Sequence, residues 1–201
     1  MGTSTSERNS ATPIGSIVSR SLVAHTRRSF APVTASVMAM AHAVLSAGMC
    51  LALIATFGVR LTRVVGFSMK PTLDNHDGLL VNCLVYELGS PRPGDIVSLY
   101  YPLDPNRVLI KRVIAESGDE VRIVGGLVYI NGKPLREDYV DALFRSSENW
   151  GPKLVSDGYY FVMGDHRNSS SDSREWGLVP EKYIIGKVKL RWWPLQHLTI
   201  F

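Results

Sequence analysis

Along this chain the pattern of apolar and polar positions changes character once, near residue 60. From Ala31 to Val59 there is no Asp, Glu, Lys or Arg. A membrane span needs roughly 20 apolar residues, which predicts the core of one within Ser36 to Val59. The apolar region of a cleaved leader usually runs only about 7–15 residues, so this longer segment reads as a retained anchor. Ionisable groups inside spans are often functional; His42 is read here as a neutral imidazole near the headgroups.

Beyond the anchor, short β-rich runs alternate with turn signals. Pro91-Arg92-Pro93-Gly94-Asp95 precedes the run Ile96 to Tyr101, Pro102 to Asn106 reads as a loop, and Arg107 to Ala115 as the next strand. Gly118-Asp119 turns into Val121 to Val124, Gly125-Gly126 joins Leu127 to Ile130, and Asn131-Gly132 closes another hairpin. Tyr159 to Met163 and Tyr183 to Leu190 are the last two strands, and no long helical periodicity follows Arg63. Leu135 to Asp157 mixes charges, aromatics and turn formers and is expected to be an insertion packing on the sheet. Trp192-Trp193-Pro194-Leu195 suits a membrane interface and a packed core equally. The expected organisation is a disordered basic tail over 1–30, a transmembrane anchor over 31–59, and a β domain over 60–201 with an insertion near 135–157. The fold class is mainly β: an antiparallel body preceded by one transmembrane helix.

Composition adds little to this and removes some options. The chain has 201 residues and a formal charge of +4, of which +3 sits in the first thirty residues, where Arg8, Arg20, Arg27 and Arg28 face only Glu7. The basic balance therefore belongs to the tail and gives no reason for a nucleic-acid partner. That tail is Ser-, Thr- and Arg-rich, which fits disorder and also a transit peptide. Arginines flank the anchor on both sides (Arg20, Arg27 and Arg28; Arg60 and Arg63), with a weak bias towards a cytoplasmic N-terminus. Cys50 and Cys83 form no disulfide framework, and no His/Cys spacing of the zinc type is present, so no metal site is expected.

Three segments carry the chemistry. Gly66-Phe67-Ser68-Met69-Lys70-Pro71-Thr72-Leu73 holds a serine on a short turn between Val64-Val65 and a proline-stiffened exit. A serine hydroxyl is a poor nucleophile until a base removes its proton. His76 and His166 each have an acidic neighbour, Asp77 and Asp165, but triads are assembled from residues distant in sequence. Lys111 is the better base. A free lysine, with a pKa of about 10.4, is almost wholly protonated at neutral pH, and desolvation lowers that value. Most strand lysines reach into solvent. Strand alternation, however, places Lys111 on the face of Leu109 and Val113, inside the run Val108 to Ile114, where burial is the economical reading. The third segment, Gly164 to Arg174, is a dense polar block after an apolar strand.

Together these segments resemble the type I signal peptidases of bacteria, which use a serine–lysine dyad. The family's Ser-Met-x-Pro-Thr-Leu stands here as Ser68 to Leu73, its Lys-Arg…Gly-Asp as Lys111 to Asp119, and its Gly-Asp-x-Arg-x-x-Ser-x-Asp-Ser-Arg as Gly164 to Arg174. The likeness implies Ser68 as nucleophile, Lys111 as general base and Ser170 as the hydroxyl that orients the lysine amine. It implies Asp172 and Arg174 as a bracing pair, with Asp165 and Arg167 in support and Ser169 and Ser171 as bystanders. Some members place a serine hydroxyl two residues before the nucleophile to help bind the oxyanion. Here that place is Gly66, so the oxyanion would rest on the Ser68 backbone N–H and a second donor in the Gly66 region. Val64 and Ile110, beside nucleophile and base, are expected pocket walls.

The resemblance further implies a membrane-anchored serine endopeptidase. It would remove signal peptides from exported preproteins with small-x-small cleavage sites, at the outer face of the bacterial inner membrane. Its partners would be those preproteins and the lipid bilayer, with no cofactor. Two other readings share the fold: a self-cleaving LexA-like serine–lysine protease, against which the uncharged run Ala31 to Val59 argues, and an inactive membrane-anchored binding module, which only Gly66 suggests.

Overall fold

A computed structural model describes residues 31–53 and 58–201, with side chains from residue 36. The tail expected over 1–30 lies outside the described residues. The first element, α1 (Ala31–Leu53), runs for 23 residues. Over Ser36–Leu53 its mean hydropathy is 1.8, and it is long and apolar enough to cross a membrane. Val37, Met40, Val44, Leu45 and Leu51 are all exposed on it. A helix that is apolar all round has no water-facing side and needs lipid or protein cover. The His42 ring donates from Nδ1 to the Met38 carbonyl one turn earlier, 2.8 Å away, which satisfies one of its two nitrogens within the helix. Val59, the last residue of the expected anchor, instead opens a strand.

The remainder is a β body. In chain order its strands are β1 (Val59–Arg63), β2 (Gly78–Asn82), β3 (Ile96–Tyr101), β4 (Asp104–Ala115), β5 (Glu120–Val124), β6 (Leu127–Ile130), β7 (Lys133–Pro134), β8 (Trp150–Leu154), β9 (Tyr159–Met163), β10 (Val179–Pro180), β11 (Ile184–Trp193) and β12 (Thr199–Ile200). An eight-stranded sheet has the order β1-β2-β11-β3-β4-β9-β10, with β12 on β11, and a four-stranded sheet has the order β7-β6-β5-β8. Every pairing is antiparallel. A single helical turn, α2 (Ser173–Trp176), follows β9.

The sheets pack where their apolar alternation demands. Val121, Ile123 and Val128 of the small sheet meet Ile114, Phe161 and Met163 of the large one. A second cluster joins Val64, Met69 and Leu73 to Leu79, Val81, Ile96 and Val188, and so pins the serine-bearing loop to the large sheet. A third holds Val97, Leu99, Val113, Val162 and Val179.

Two segments differ from expectation. β4 begins at Asp104 rather than Arg107, because Tyr101 pairs with Asp104 across a turn of only Pro102 and Leu103. The stretch Leu135 to Asp157 is not wholly an insertion, since β8 within it pairs with β5. Gly151 and Pro152 mask the strand pattern there, and such residues are tolerated because β8 is an edge strand. Trp150 starts that strand, its ring 4.8 Å from that of Phe161. Of the two tryptophans near the C-terminus, Trp192 is half-buried and Trp193 is 48 % exposed.

Phe161 is fully buried where the sheets meet. Phe161→Ala should lower the unfolding free energy by about 3–5 kcal/mol, measured by denaturant titration of the detergent-solubilised chain.

Candidate active site

The loop after β1 is shaped by its backbone before any side chain acts. Val64 donates its N–H to the Asp77 carbonyl and accepts at its own carbonyl from His76, both at 2.9 Å, which closes the loop at its base. Gly66 has φ +105°, a conformation in which an L side chain is strained. Its N–H is donated to Asn75 Oδ1 at 3.0 Å. Gly66 therefore brings no side-chain donor, and its backbone donor is already spent. Met69 and Leu73 are buried to 1 % and 0 % exposure and hold the turn down, leaving Ser68 half-buried at its crest. Among the described residues, the Ser68 N–H has no intramolecular acceptor.

Lys111 reaches this serine from β4. Its Nζ lies 2.9 Å from Ser68 Oγ and 3.0 Å from Ser170 Oγ, and the residue is 3 % exposed. Burial pulls its ammonium down from the ordinary 10.5 to about 8. The Asp172, Asp165 and Glu175 carboxylates work against that fall, while the Arg174 guanidinium assists it. A pKa lowered in this way, mainly by desolvation, is how a lysine becomes available as a base near neutral pH.

The polar block after β9 surrounds the pair. Asp165 is fully buried and bridges three segments. It accepts from Arg112 Nε at 2.9 Å and Nη2 at 2.6 Å on β4, and from Thr72 Oγ1 at 2.5 Å on the serine loop. Asp172 caps α2, accepts from the Gly164 N–H at 3.0 Å, and holds Arg174 through Nε and Nη2, both at 2.7 Å. Arg167 is buried, donates to the Gly164 carbonyl at 3.0 Å and pairs with Glu137. Arg112 also stacks on the Tyr139 ring, 3.9 Å from its centroid. Each of these buried cations has an acidic partner, the condition under which burying it is tolerable.

Of the residues singled out from sequence, Lys111 touches both Ser68 and Ser170, and Asp165, Asp172 and Arg174 lie around them. Val64 and Ile110 line a narrow cleft of about 90 Å³ that Ser68 and Lys111 also line. No Ser-His-Asp arrangement forms here. Asp165 is engaged by Arg112, and the His166 ring donates from Nδ1 to the Phe67 carbonyl at 3.1 Å. Glu137 and Tyr139 carried no signal in the sequence, and the bracing contacts of Thr72 and His166 were not foreseen from it. His166 is notable because its backbone N–H also donates to the Ser68 carbonyl at 3.0 Å, clamping the serine turn twice. Gly164 carried a hint only as a motif letter. A Cβ there would stand 2.2 Å from Ser170 Oγ and 2.4 Å from the Ser68 carbonyl oxygen, so only glycine lets the block fold beneath the serine. Among the described residues, no three His, Cys, Asp or Glu side chains group as a metal would require.

A family model described as signal peptidase, peptidase S26, matches residues 36–193. The chain is 39% identical over 153 residues to signal peptidase I of Leptolyngbya laminosa, covering 72% of this chain and 74% of that protein. It is 38% identical over 153 residues to probable signal peptidase I-2 of Synechocystis sp., covering 73% and 69%. It is also 38% identical over 142 residues to the chloroplastic thylakoidal processing peptidase 1 of Arabidopsis thaliana, covering 66% of this chain and 41% of that protein.

Asp165→Ala would leave the Arg112 guanidinium buried without its carboxylate. The expected loss is about 3–5 kcal/mol of unfolding free energy, read by denaturant titration against the unsubstituted chain.

Proposed function

The chain belongs to the signal peptidase family S26, and on that footing we propose that Ser68 and Lys111 form the dyad with which it removes signal peptides from exported preproteins. The observation that carries this reading is the 2.9 Å contact between the nearly water-excluded Lys111 Nζ and Ser68 Oγ.

In the resting site the amine donates to both hydroxyls. Once it loses its proton, its lone pair accepts the Ser68 O–H while Ser170 Oγ fixes its direction. Ser68 attacks the scissile carbonyl, and the proton passes to Lys111. The oxyanion takes the Ser68 N–H, which has no intramolecular acceptor among the described residues. Lys111 returns the proton to the departing amine, leaving the signal peptide as an ester on Ser68. It then draws a proton from water, whose attack releases the peptide carboxylate and restores the serine.

The segment before the cut would lie extended in the cleft between the serine loop and β4. Main-chain groups are open for it there, because β4 pairs with β9 only over Arg112–Ala115 and leaves Val108 to Ile110 unpaired on that edge. Val64 and Ile110 wall this narrow cleft, which suits small side chains three residues and one residue before the cut. We place the chain as a single-pass protein of the bacterial inner membrane, with α1 as anchor and the β body on the outer face. Tethering enzyme and substrate to one membrane raises their effective concentration.

Ser68→Ala and Lys111→Ala should each abolish processing of a preprotein with a small-x-small site while near-ultraviolet circular dichroism stays unchanged. Normal processing by either variant would remove the dyad. The pH profile follows from the lowered Lys111 value. The active form is the neutral amine, so kcat/KM should rise with pH through about 8, level off above it, and fall about tenfold per unit on the acid side. A profile flat from pH 6 to 9 would contradict a lysine base.

A further inference from the structure

Beyond Ser170 the surface opens into a second cavity of about 810 Å³, walled by residues 145–148 of one segment and by 167–171, Arg174 and Glu175 of another. It contrasts with the 90 Å³ cleft lined by Val64 and Ile110. The two meet at the reactive pair. Lys111 lines the narrow cleft, and the hydroxyl that its Nζ touches at 3.0 Å belongs to Ser170, which lines the wide one. A substrate whose residues before the cut fill the narrow side must continue, through the scissile bond, on the other side of Ser68 and Lys111.

The wide cavity is equipped for an extended polar chain. Ser170 has extended backbone, φ −136° and ψ 120°. Among the described residues, the N–H groups of Ser170 and Ser171 donate to no intramolecular acceptor, so they are open to the carbonyls of a passing strand. The charges lining it are unequal. Arg167 is held by Glu137, and Arg174 by Asp172 and Glu148. Arg145 is exposed and makes only a 3.4 Å contact to the Val140 carbonyl, with no acidic partner among the described residues. Glu175 is the exposed carboxylate in the same lining.

We propose that this basin binds the first residues of the mature protein, those just after the cut, as an extended polar segment, and that Arg145 selects for a carboxylate among them. The proposal rests on the dyad reading above and extends it to the product side. It gives the segment Arg145 to Glu148 a role in substrate choice, and it turns Ser170 and Ser171 into main-chain partners of the departing chain.

The test is a charge scan with the full-length protein in detergent. Synthetic peptides with one small-x-small site carry Asp, Lys or Ser at each of the first four positions after the cut, and the Ser peptide serves as reference for each enzyme. With the unsubstituted protein, at least one position should favour Asp over Lys by about three- to fivefold in kcat/KM, as expected for an exposed charge pair. Arg145→Glu should invert that preference at the same position, Arg145→Gln should erase it, and raised salt should shrink it. Ratios that stay level at all four positions, while the Ser peptide is still cut, would overturn the basin and leave the dyad standing. Failure to cut any peptide would overturn the dyad reading and the basin with it.

Discussion

Keeping the Lys111 amine 2.9 Å from the Ser68 hydroxyl, with almost no access to water, is the demand around which the β body is arranged. A fall in pKa from 10.5 to about 8 corresponds to about 3 kcal/mol net, with desolvation outweighing the nearby carboxylates, a cost the surrounding fold must bear. An isolated buried ammonium would relieve that cost by moving towards water. It stays because β4 is fixed on both sides, by β3 along its length and by β9 over Arg112–Ala115, and because two hydroxyls receive its hydrogen bonds.

The polar block after β9 follows from the same demand. To bring Ser170 to the amine, the chain must pass beneath the serine turn, where Gly164 leaves no room for a Cβ. A loop that deep carries polar groups which must all be satisfied. Asp165 and Asp172 meet this need by accepting from backbone, hydroxyl and guanidinium donors together. The carboxylates have an electrostatic side effect. They oppose the depression of the Lys111 pKa that burial causes.

The segment from Leu135 to Asp157 contributes to this arrangement. Glu137 neutralises Arg167, Tyr139 covers Arg112, and Trp150 fills the space between the sheets beside Phe161. The block and the strand-bearing segment thus brace each other, and the basin opens between residues 145–148 and the stretch 167–171 with Arg174 and Glu175.

What the sequence determined by itself was local. The uncharged run after Ala31 and the antiparallel runs bounded by turn formers could be read from residue type and spacing, and Ser68, Lys111 and the carboxylates near them were picked out as candidates by spacing and family likeness. Strand alternation was enough to place Lys111 among apolar neighbours, because side-chain direction in a strand repeats every two residues. Only the tertiary structure decided what meets across the chain. His166 clamping Phe67 and Ser68, Thr72 on Asp165, and Glu137 on Arg167 are contacts between segments 30 to 99 positions apart, and no periodicity encodes them. The edge strand β8 was hidden for a related reason. Gly151 and Pro152 break the local pattern, and its place beside β5 is set by long-range pairing rather than by its own residues.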